Sequence, residues 1–355
     1  MVDDVAVRYL RVRKAFCPAF AAERAEVLFL MNLTGVAQVY AMPRGGGWPD
    51  LLTDGPERVT RVAAAPTGRW VVFAQDQGGN EHDRLWAMWE DGTHRFPLTP
   101  DDGAIYRFGA FRHDGQAIAY SANRRHPADF DIYLQEIQPG SQPVLLWSGQ
   151  GDWRVEAFYP QDEALLLSFH RSLWDIDLYR LDLSGQGQGL QWLTPHQGQA
   201  RFCSPVFGAR RLYCLTDFER DFLGVAALDP AGEGLEWIEA PDADVELLAA
   251  SPDGQRFAWA VNRQGFSEVF LYEVATRRKV LVEGFGPGVV TALTFSPDGL
   301  WVAAEFQAAN YNPNVWLFSA DHGFARPLTR APWCGVDPDQ LVTPRLCTIH
   351  SGDGL

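Results

Sequence analysis

Apolar and polar positions alternate in short bursts along this chain, and the bursts recur. The clearest unit covers residues 248–274. Leu248-Ala-Ala runs into Ser251-Pro252-Asp253-Gly254, an apolar stretch from Arg256 to Asn262 leaves it, and after a short polar turn a third stretch runs from Glu268 to Val274. The turn residues each have a physical role. Pro pre-sets φ, Asp caps the turn through its side chain, and Gly supplies positive φ. Thr294-Phe-Ser-Pro-Asp-Gly299, followed by Leu-Trp-Val-Ala-Ala-Glu-Phe, repeats the unit, and Gly254 and Gly299 are 45 positions apart by subtraction. A period in this range marks a propeller or a solenoid.

The same pattern extends back through the chain. Turns at Gly68 and Gly115 lie 47 positions apart, and those at Gly208 and Gly254 lie 46 apart. The gap of 93 from Gly115 to Gly208 holds one glycine-less repeat around Tyr159-Pro-Gln-Asp162. Each repeat offers four strands. In the second they follow Arg61 to Ala65, Trp70-Val-Val-Phe-Ala, Arg84-Leu-Trp-Ala-Met and Phe96-Pro-Leu-Thr. Short strands broken by Gly, Pro, Asp and Asn every 8–12 residues are an all-β signature. Seven such repeats over 17–331 predict a seven-bladed β-propeller of four-stranded blades, with few helices. Residues 1–16 form an extension whose Val5, Tyr9 and Val12 fit a helical stripe, while Val7, Tyr9 and Leu10 fit a strand. Residues 332–355 are turn-rich and then strand-like, and read as a linker stub toward a further domain. No terminal segment offers a strand to complete the blade at the other end, so the pattern leaves open how the ring closes.

Composition narrows the function classes. The 355 residues are 46% hydrophobic and include 13 Trp, enough for a large core. The formal charge of −15 disfavours nucleic acid and anionic membranes, whose phosphates would be repelled. No run approaches 18 apolar residues, and the start of the chain lacks a secretory apolar region, so a cytoplasmic protein is expected. The five cysteines, at 17, 203, 214, 334 and 347, are odd in number and include no Cys-x-x-Cys. They read as reduced thiols, with Cys203–Cys214 the one pairing that neighbouring strands could allow.

Motifs of catalysis are lacking. None of the serines sits in Gly-x-Ser-x-Gly, the nearest being Gly265-Phe-Ser267-Glu-Val, and no His-Glu-x-x-His, Walker loop or dinucleotide fingerprint occurs. No cofactor and no metal are expected. His82, His94 and His113 could approach one another only through folding, and Gly45-Gly46-Gly47 reads as a hairpin loop. One loop breaks the repeat. Gln75-Asp76-Gln77-Gly78-Gly79-Asn80-Glu81-His82-Asp83 joins the second and third strands of the second repeat. It reads either as a glycine-shaped hairpin with solvated acids, or as a device in which Gly78 and Gly79 present Asn80 and Glu81 to a cationic group.

Asp76-x-Gly78-Gly79-Asn80-Glu81, followed by Leu85-Trp86, resembles the loop in propellers of the prolyl oligopeptidase family, in its acylaminoacyl peptidase and dipeptidyl peptidase branch. Asn32-Leu-Thr-Gly35-Val-Ala-Gln38-Val-Tyr40 with Leu52-Thr53 resembles the first blade there. Gly335-Val-Asp-Pro-Asp-Gln-Leu-Val-Thr-Pro344, then Ser351-Gly-Asp353-Gly354, resembles the linker into the hydrolase domain. The Ser-Pro-Asp-Gly repeats are shared with TolB-type propellers. The resemblance implies a propeller that caps an α/β-hydrolase domain in cis, gates the entry of short peptides and helps select them. It implies that Glu81 approaches the substrate, with Asn80 and Asp76 as further substrate-side positions and Gly78 and Gly79 shaping the loop. The hydrolase Ser, Asp and His are missing from this sequence, so the chain itself is expected not to be an enzyme.

Two further readings stand beside this one. A stand-alone TolB-type scaffold for a protein or peptide is the alternative. A propeller enzyme with its own axial site would need clustered carboxylates or a metal there, whereas the first strands (Arg61 to Ala65, Leu247 to Ala250, Thr291 to Phe295) read as mostly apolar or small. If the hydrolase is absent, one face should expose an apolar patch, through which the chain could form a homo-oligomer.

Overall fold

The computed structural model of the chain describes residues 5–183, 189–229, 234–348 and 352. Of the tail signature, Ser351, Asp353 and Gly354 lie outside the described residues. Among the described residues twenty-eight strands, numbered β1–β28 in chain order, form seven four-stranded antiparallel sheets of four consecutive strands each. This is the seven-bladed propeller. The first strand of each blade lies innermost: β1 (Ala15–Phe20), β5 (Val59–Ala64), β9 (Tyr106–Phe111), β13 (Asp152–Phe158), β17 (Phe202–Phe207), β21 (Val245–Ala250) and β25 (Val289–Phe295). The 3.6-residue stripe at the start of the chain prevails over the strand reading, as α1 (Val5–Leu10).

The second strands are continuous apolar runs because both their faces are buried. In β6 (Trp70–Gln75), Val71 and Phe73 pack toward blade 1, while Val72 and Ala74 pack toward blade 3. The period of two thus splits each run between two neighbours. Seven apolar clusters result among the described residues, one at each junction between adjacent blades.

The turns after the first strands do more than reverse the chain. A Cβ on Gly115 (φ 68°) would stand 2.2 Å from the carbonyl oxygen of Thr67, in the corresponding turn of the preceding blade. One on Gly254 would stand 2.3 Å from the Ala209 nitrogen, again in the preceding blade, and Ala209 N–H donates to the Gly254 carbonyl at 3.1 Å. At Gly115 and Gly254 the turns therefore seat blade on blade, where only glycine fits, whereas a Cβ on Gly299 would meet nothing closer than 3.8 Å. In the glycine-less fourth repeat Asp162 takes the left-handed backbone (φ 60°), and its carboxylate meets His113 of the preceding blade at 2.6 Å.

The recurring Leu-Thr at the outer strands has an equally local cause. Those strands are only two to five residues long and cannot pair along the whole third strand. The threonine hydroxyls of Thr53, Thr99, Thr194 and Thr329 accept the next backbone N–H, from Val39, Leu85, Leu178 and Val315, at 2.9–3.0 Å. Each stays buried because the ladder is completed by a side chain.

Among the described residues no strand is exchanged at the junction between blades 7 and 1. Phe29, Met31 and Met42 of blade 1 pack against Val315, Leu317 and Leu328 of blade 7. Asn312 Nδ2 donates to the carbonyls of Arg13 (2.7 Å) and Ala331 (3.0 Å), tying the segments before and after the ring, and Arg13 N–H donates to the Pro332 carbonyl (2.9 Å). Beyond the ring the tail makes one 3-10 turn, Pro338–Gln340. Its strand-like run at 341–348 forms no strand, since Val342 and Leu346 are exposed and no edge pairs with them.

Candidate functional site

In an antiparallel four-stranded blade every loop between second and third strands emerges on one face of the ring, opposite the Pro-Asp-Gly turns. The loop from Asp76 to Glu81 lies on that face, between β6 and β7 (Arg84–Trp89). Its two ends differ. Asp76 is buried beneath the loop, where Oδ2 accepts from Arg58 Nε (3.1 Å) and Nη2 (3.0 Å), and Oδ1 has no partner among the described residues. The Gly78 N–H donates to the Glu57 carboxylate at 2.6 Å, and Gly78 and Gly79 both have positive φ. Asn80 turns its amide oxygen back onto the N–H groups of Gln77 (3.3 Å) and His82 (3.0 Å), an Asx-type closure. Glu81 follows with φ 60° and is exposed. A non-glycine residue held left-handed is uncommon and points its side chain where an extended residue would not.

The structure thus separates the five residues singled out by sequence. Glu81 and Asn80 are at the surface, Gly78 and Gly79 form the bend, and Asp76 anchors the loop from below. His82 Nδ1 lies 2.7 Å from the Gly103 carbonyl, across the cleft to blade 3. That cleft is lined by Asp102, Asn123, Arg124 and Tyr133. Asp102 accepts from Tyr106 Oη (2.8 Å) and Arg124 Nε (3.1 Å). Burial and the Asp102 carboxylate push the Tyr106 phenol far above its ordinary value. On the same face, Leu173 and Trp174 stand exposed at the tip of the β14 (Ala164–Ser172)–β15 (Asp175–Asp182) hairpin, and Phe222 lies in the corresponding loop of blade 5.

The axial channel has two chemically distinct halves. Toward the turns it is ringed by Phe20, Phe111, Phe158, Phe207 and Phe295, with Arg61 and Glu156 shared at the boundary between the two halves. Toward the Glu81 loop it carries Arg61, Arg107 and Arg154 with Asp83 and Glu156. These charges escaped the sequence reading, yet a signal existed. Arg61, Arg107, Arg154 and Arg201 follow at steps of 46, 47 and 47 positions by subtraction, one blade apart. Burial and the neighbouring Arg154 and Arg107 push the His170 imidazole down to about 4. Burial, and then the Asp76 carboxylate, raise the Asp83 carboxyl above the usual range.

His94 stacks on Trp89 and His113 meets Asp162, so the three histidines bind three separate partners. Among the described residues no group of three or more His, Cys, Asp or Glu is arranged to hold a metal ion, and no helix is long and apolar enough to cross a membrane. All five cysteines are free. Cys203 is paired with Leu215 rather than Cys214 across its strands, and burial pushes its thiol up to about 12.

No protein-family model matches the chain, and no curated protein matches it by sequence. Its likenesses are to solved structures. A prolyl endopeptidase analysed for inter-domain dynamics in catalysis and specificity matches 94% of the chain over 52% of its own length (TM-score 0.77, 16% identity). Puromycin hydrolase matches 100% of the chain over 59% of its own (TM-score 0.77, 14% identity). The apo form of prolyl oligopeptidase B from Galerina marginata matches 99% over 56% (TM-score 0.75, 12% identity). The chain therefore spans little more than half the length of these structures, and what it shares with prolyl oligopeptidases and puromycin hydrolase is the fold of a seven-bladed propeller.

Proposed function

We propose that this chain is the non-catalytic propeller of a serine peptidase of the prolyl oligopeptidase type, in which it gates access and helps select short peptides for a hydrolase domain in cis. The observation that carries this reading is the match of nearly the whole chain to just over half of each peptidase structure. The loop geometry supports a role for Glu81. Its carboxylate is exposed on the face where the second-to-third-strand loops gather, held there by a bend that Asn80 closes and Asp76 anchors. A carboxylate so placed attracts the free ammonium of a peptide N-terminus, the dipeptidyl type of selection. Asn80 adds a polar surface beside it, and Asp76 acts by holding the loop.

The chemistry of bond cleavage lies outside these 355 residues in this reading. The test is hydrolysis of acyl-amino-acid and dipeptide anilides by the purified chain. No turnover sensitive to a serine reagent is expected, and robust sensitive turnover would overturn the non-catalytic assignment. A second reading is favoured by one observation, the exposed Leu173, Trp174 and Phe222 on the same face. There the chain is a TolB-type scaffold that docks a protein partner or a second copy of itself through those side chains. Light scattering with the Trp174→Ser variant separates the two for self-association, since loss of a concentration-dependent dimer would favour docking.

A further inference from the structure

Blades 1 and 7 do not close completely where they meet. A cavity of about 320 Å³ remains at this seam. Phe29 and Met31 on β2 (Glu26–Met31) and Met42 on β3 (Gln38–Pro43) form its floor, with Leu328 of blade 7 opposite. Two of the chain's four methionines thus sit here, and methionine is the side chain that reshapes most readily around an apolar guest. Trp48 stands at the rim, in the loop between β3 and β4 (Asp50–Leu51), and at 80% exposed it is the most exposed tryptophan among the described residues. The lining has little polar capacity to offer. The Thr329 hydroxyl already donates to Asn314 Oδ1 and accepts from the Val315 N–H, both at 2.9 Å. Arg330 is the one charged residue in the lining, is exposed, and has no carboxylate within ion-pair distance among the described residues.

These features fix the chemistry of an occupant. An apolar body filling the space gains about fourfold in affinity for each methylene it buries. Its polar end stays at the mouth beside Arg330, where a half-solvated pair adds a few-fold and favours an anion. Apolar burial therefore supplies the affinity, and Arg330 selects the sign of the charge. Asp50, two residues beyond Trp48, does not oppose this choice. It pairs with Ala41, which faces blade 2, so it shares the face of blade 1 turned away from the cavity. The formal charge of −15 acts against anions at long range, but salt screens it beyond about 8 Å. The volume lies at the small end of ligand sites, which suits a chain of about six to ten carbons.

We propose that the seam cavity binds an apolar carboxylic acid, a medium-chain fatty acid, with its hydrocarbon body between Trp48 and the floor of Phe29, Met31 and Met42, and its carboxylate at Arg330. The site shares no residue with the Glu81 loop, so it goes beyond peptide gating and stands whether or not Glu81 selects substrates.

The experiment is calorimetric titration of the full chain with octanoate, octan-1-ol and octylammonium, each below its aggregation concentration, with tryptophan emission read in parallel. One octanoate per chain is expected, with emission moving to shorter wavelength as Trp48 is covered. Octan-1-ol should bind about three- to fivefold more weakly, and octylammonium more weakly still. Hexanoate should bind at least about fivefold more weakly than octanoate, since two fewer methylenes are buried. Arg330→Gln should bring octanoate to the affinity of octan-1-ol and leave octan-1-ol unchanged. Trp48→Ala should weaken both and abolish the emission change. Both side chains are exposed, so both variants are expected to melt like the parent, and the ligand series on the parent chain decides the matter without them. Absence of saturable binding, several acids per chain, or octan-1-ol binding as tightly as octanoate would each overturn the proposal. So would parent-like octanoate binding by Arg330→Gln, or an emission change that survives in Trp48→Ala.

Discussion

Asn312→Ala tests how the ring is held shut. Asn312 lies on β27 (Tyr311–Ser319), is 6% exposed, and bonds both ends of the propeller chain at once. The substitution removes its two donated bonds, to Arg13 and Ala331, and the Oδ1 acceptor for Asn314 Nδ2 at 3.0 Å. Each buried group left unmet costs about 1–3 kcal/mol. Water entering the small void recovers part of this, so a net loss of about 2–4 kcal/mol is expected. For a chain of this size that lowers Tm by roughly 3–5 °C. The location of the loss matters more than its size. Every other pair of neighbouring blades is joined by the chain, whereas blades 7 and 1 meet through packing, the Asn312 bonds, the Cys17–Glu305 and Arg326–Arg44 hydrogen bonds and the Arg44–Asp298 ion pair. Amide hydrogen exchange should therefore show protection falling first in β1–β4 and β25–β28. A loss under about 0.5 kcal/mol, or protection falling evenly around the ring, would refute the reasoning.

Other positions give independent checks. Gly115→Ala should destabilise by at least about 2 kcal/mol in denaturant unfolding, because its Cβ meets the Thr67 carbonyl oxygen, whereas Gly46→Ala, equally left-handed but in open space, should cost only about 1 kcal/mol. The His170 imidazole, held down to about 4, resists charging in the folded state, so its contribution is in full above the ordinary value of 6.5 and is lost as pH falls from there toward 4. With allowance for its partial exposure the loss is about 2 kcal/mol. Urea unfolding of the parent should show it between pH 7 and 4.5, and His170→Gln should flatten that part of the profile.

The repeat was legible because its punctuation is chemical. Pro-Asp-Gly needs no partner to reveal a turn, and the spacing alone located the fourth blade, where Asp162 replaces glycine in the left-handed position. The second and third strands were legible as strands, but not which blade each residue faces, because a run buried on both sides carries no alternation. The Leu-Thr pairs were visible as endings, while their work as side-chain rungs depends on the register of β2 to β4 and its counterparts. At the site, Gly78 and Gly79 announced a bend. That Asp76 lies beneath it rather than beside Glu81 follows from Arg58, eighteen positions earlier in sequence and outside the loop's own pattern. The axial arginines were hidden for another reason. Each is a single arginine in or beside the first strand of its blade, and only their recurrence at the blade period marks a shared lining.

The central functional claim is that the loop at Glu81 receives the N-terminal ammonium of a short peptide. Titration of the isotope-labelled chain with a free-amine tripeptide amide, followed by amide NMR shifts, tests it directly. The account predicts saturable shifts at residues 77–82, lost with the N-acetylated peptide and weakened about tenfold or more in Glu81→Gln. Loop amides that stay in place while the peptide binds elsewhere, or equal affinity in Glu81→Gln, would contradict it.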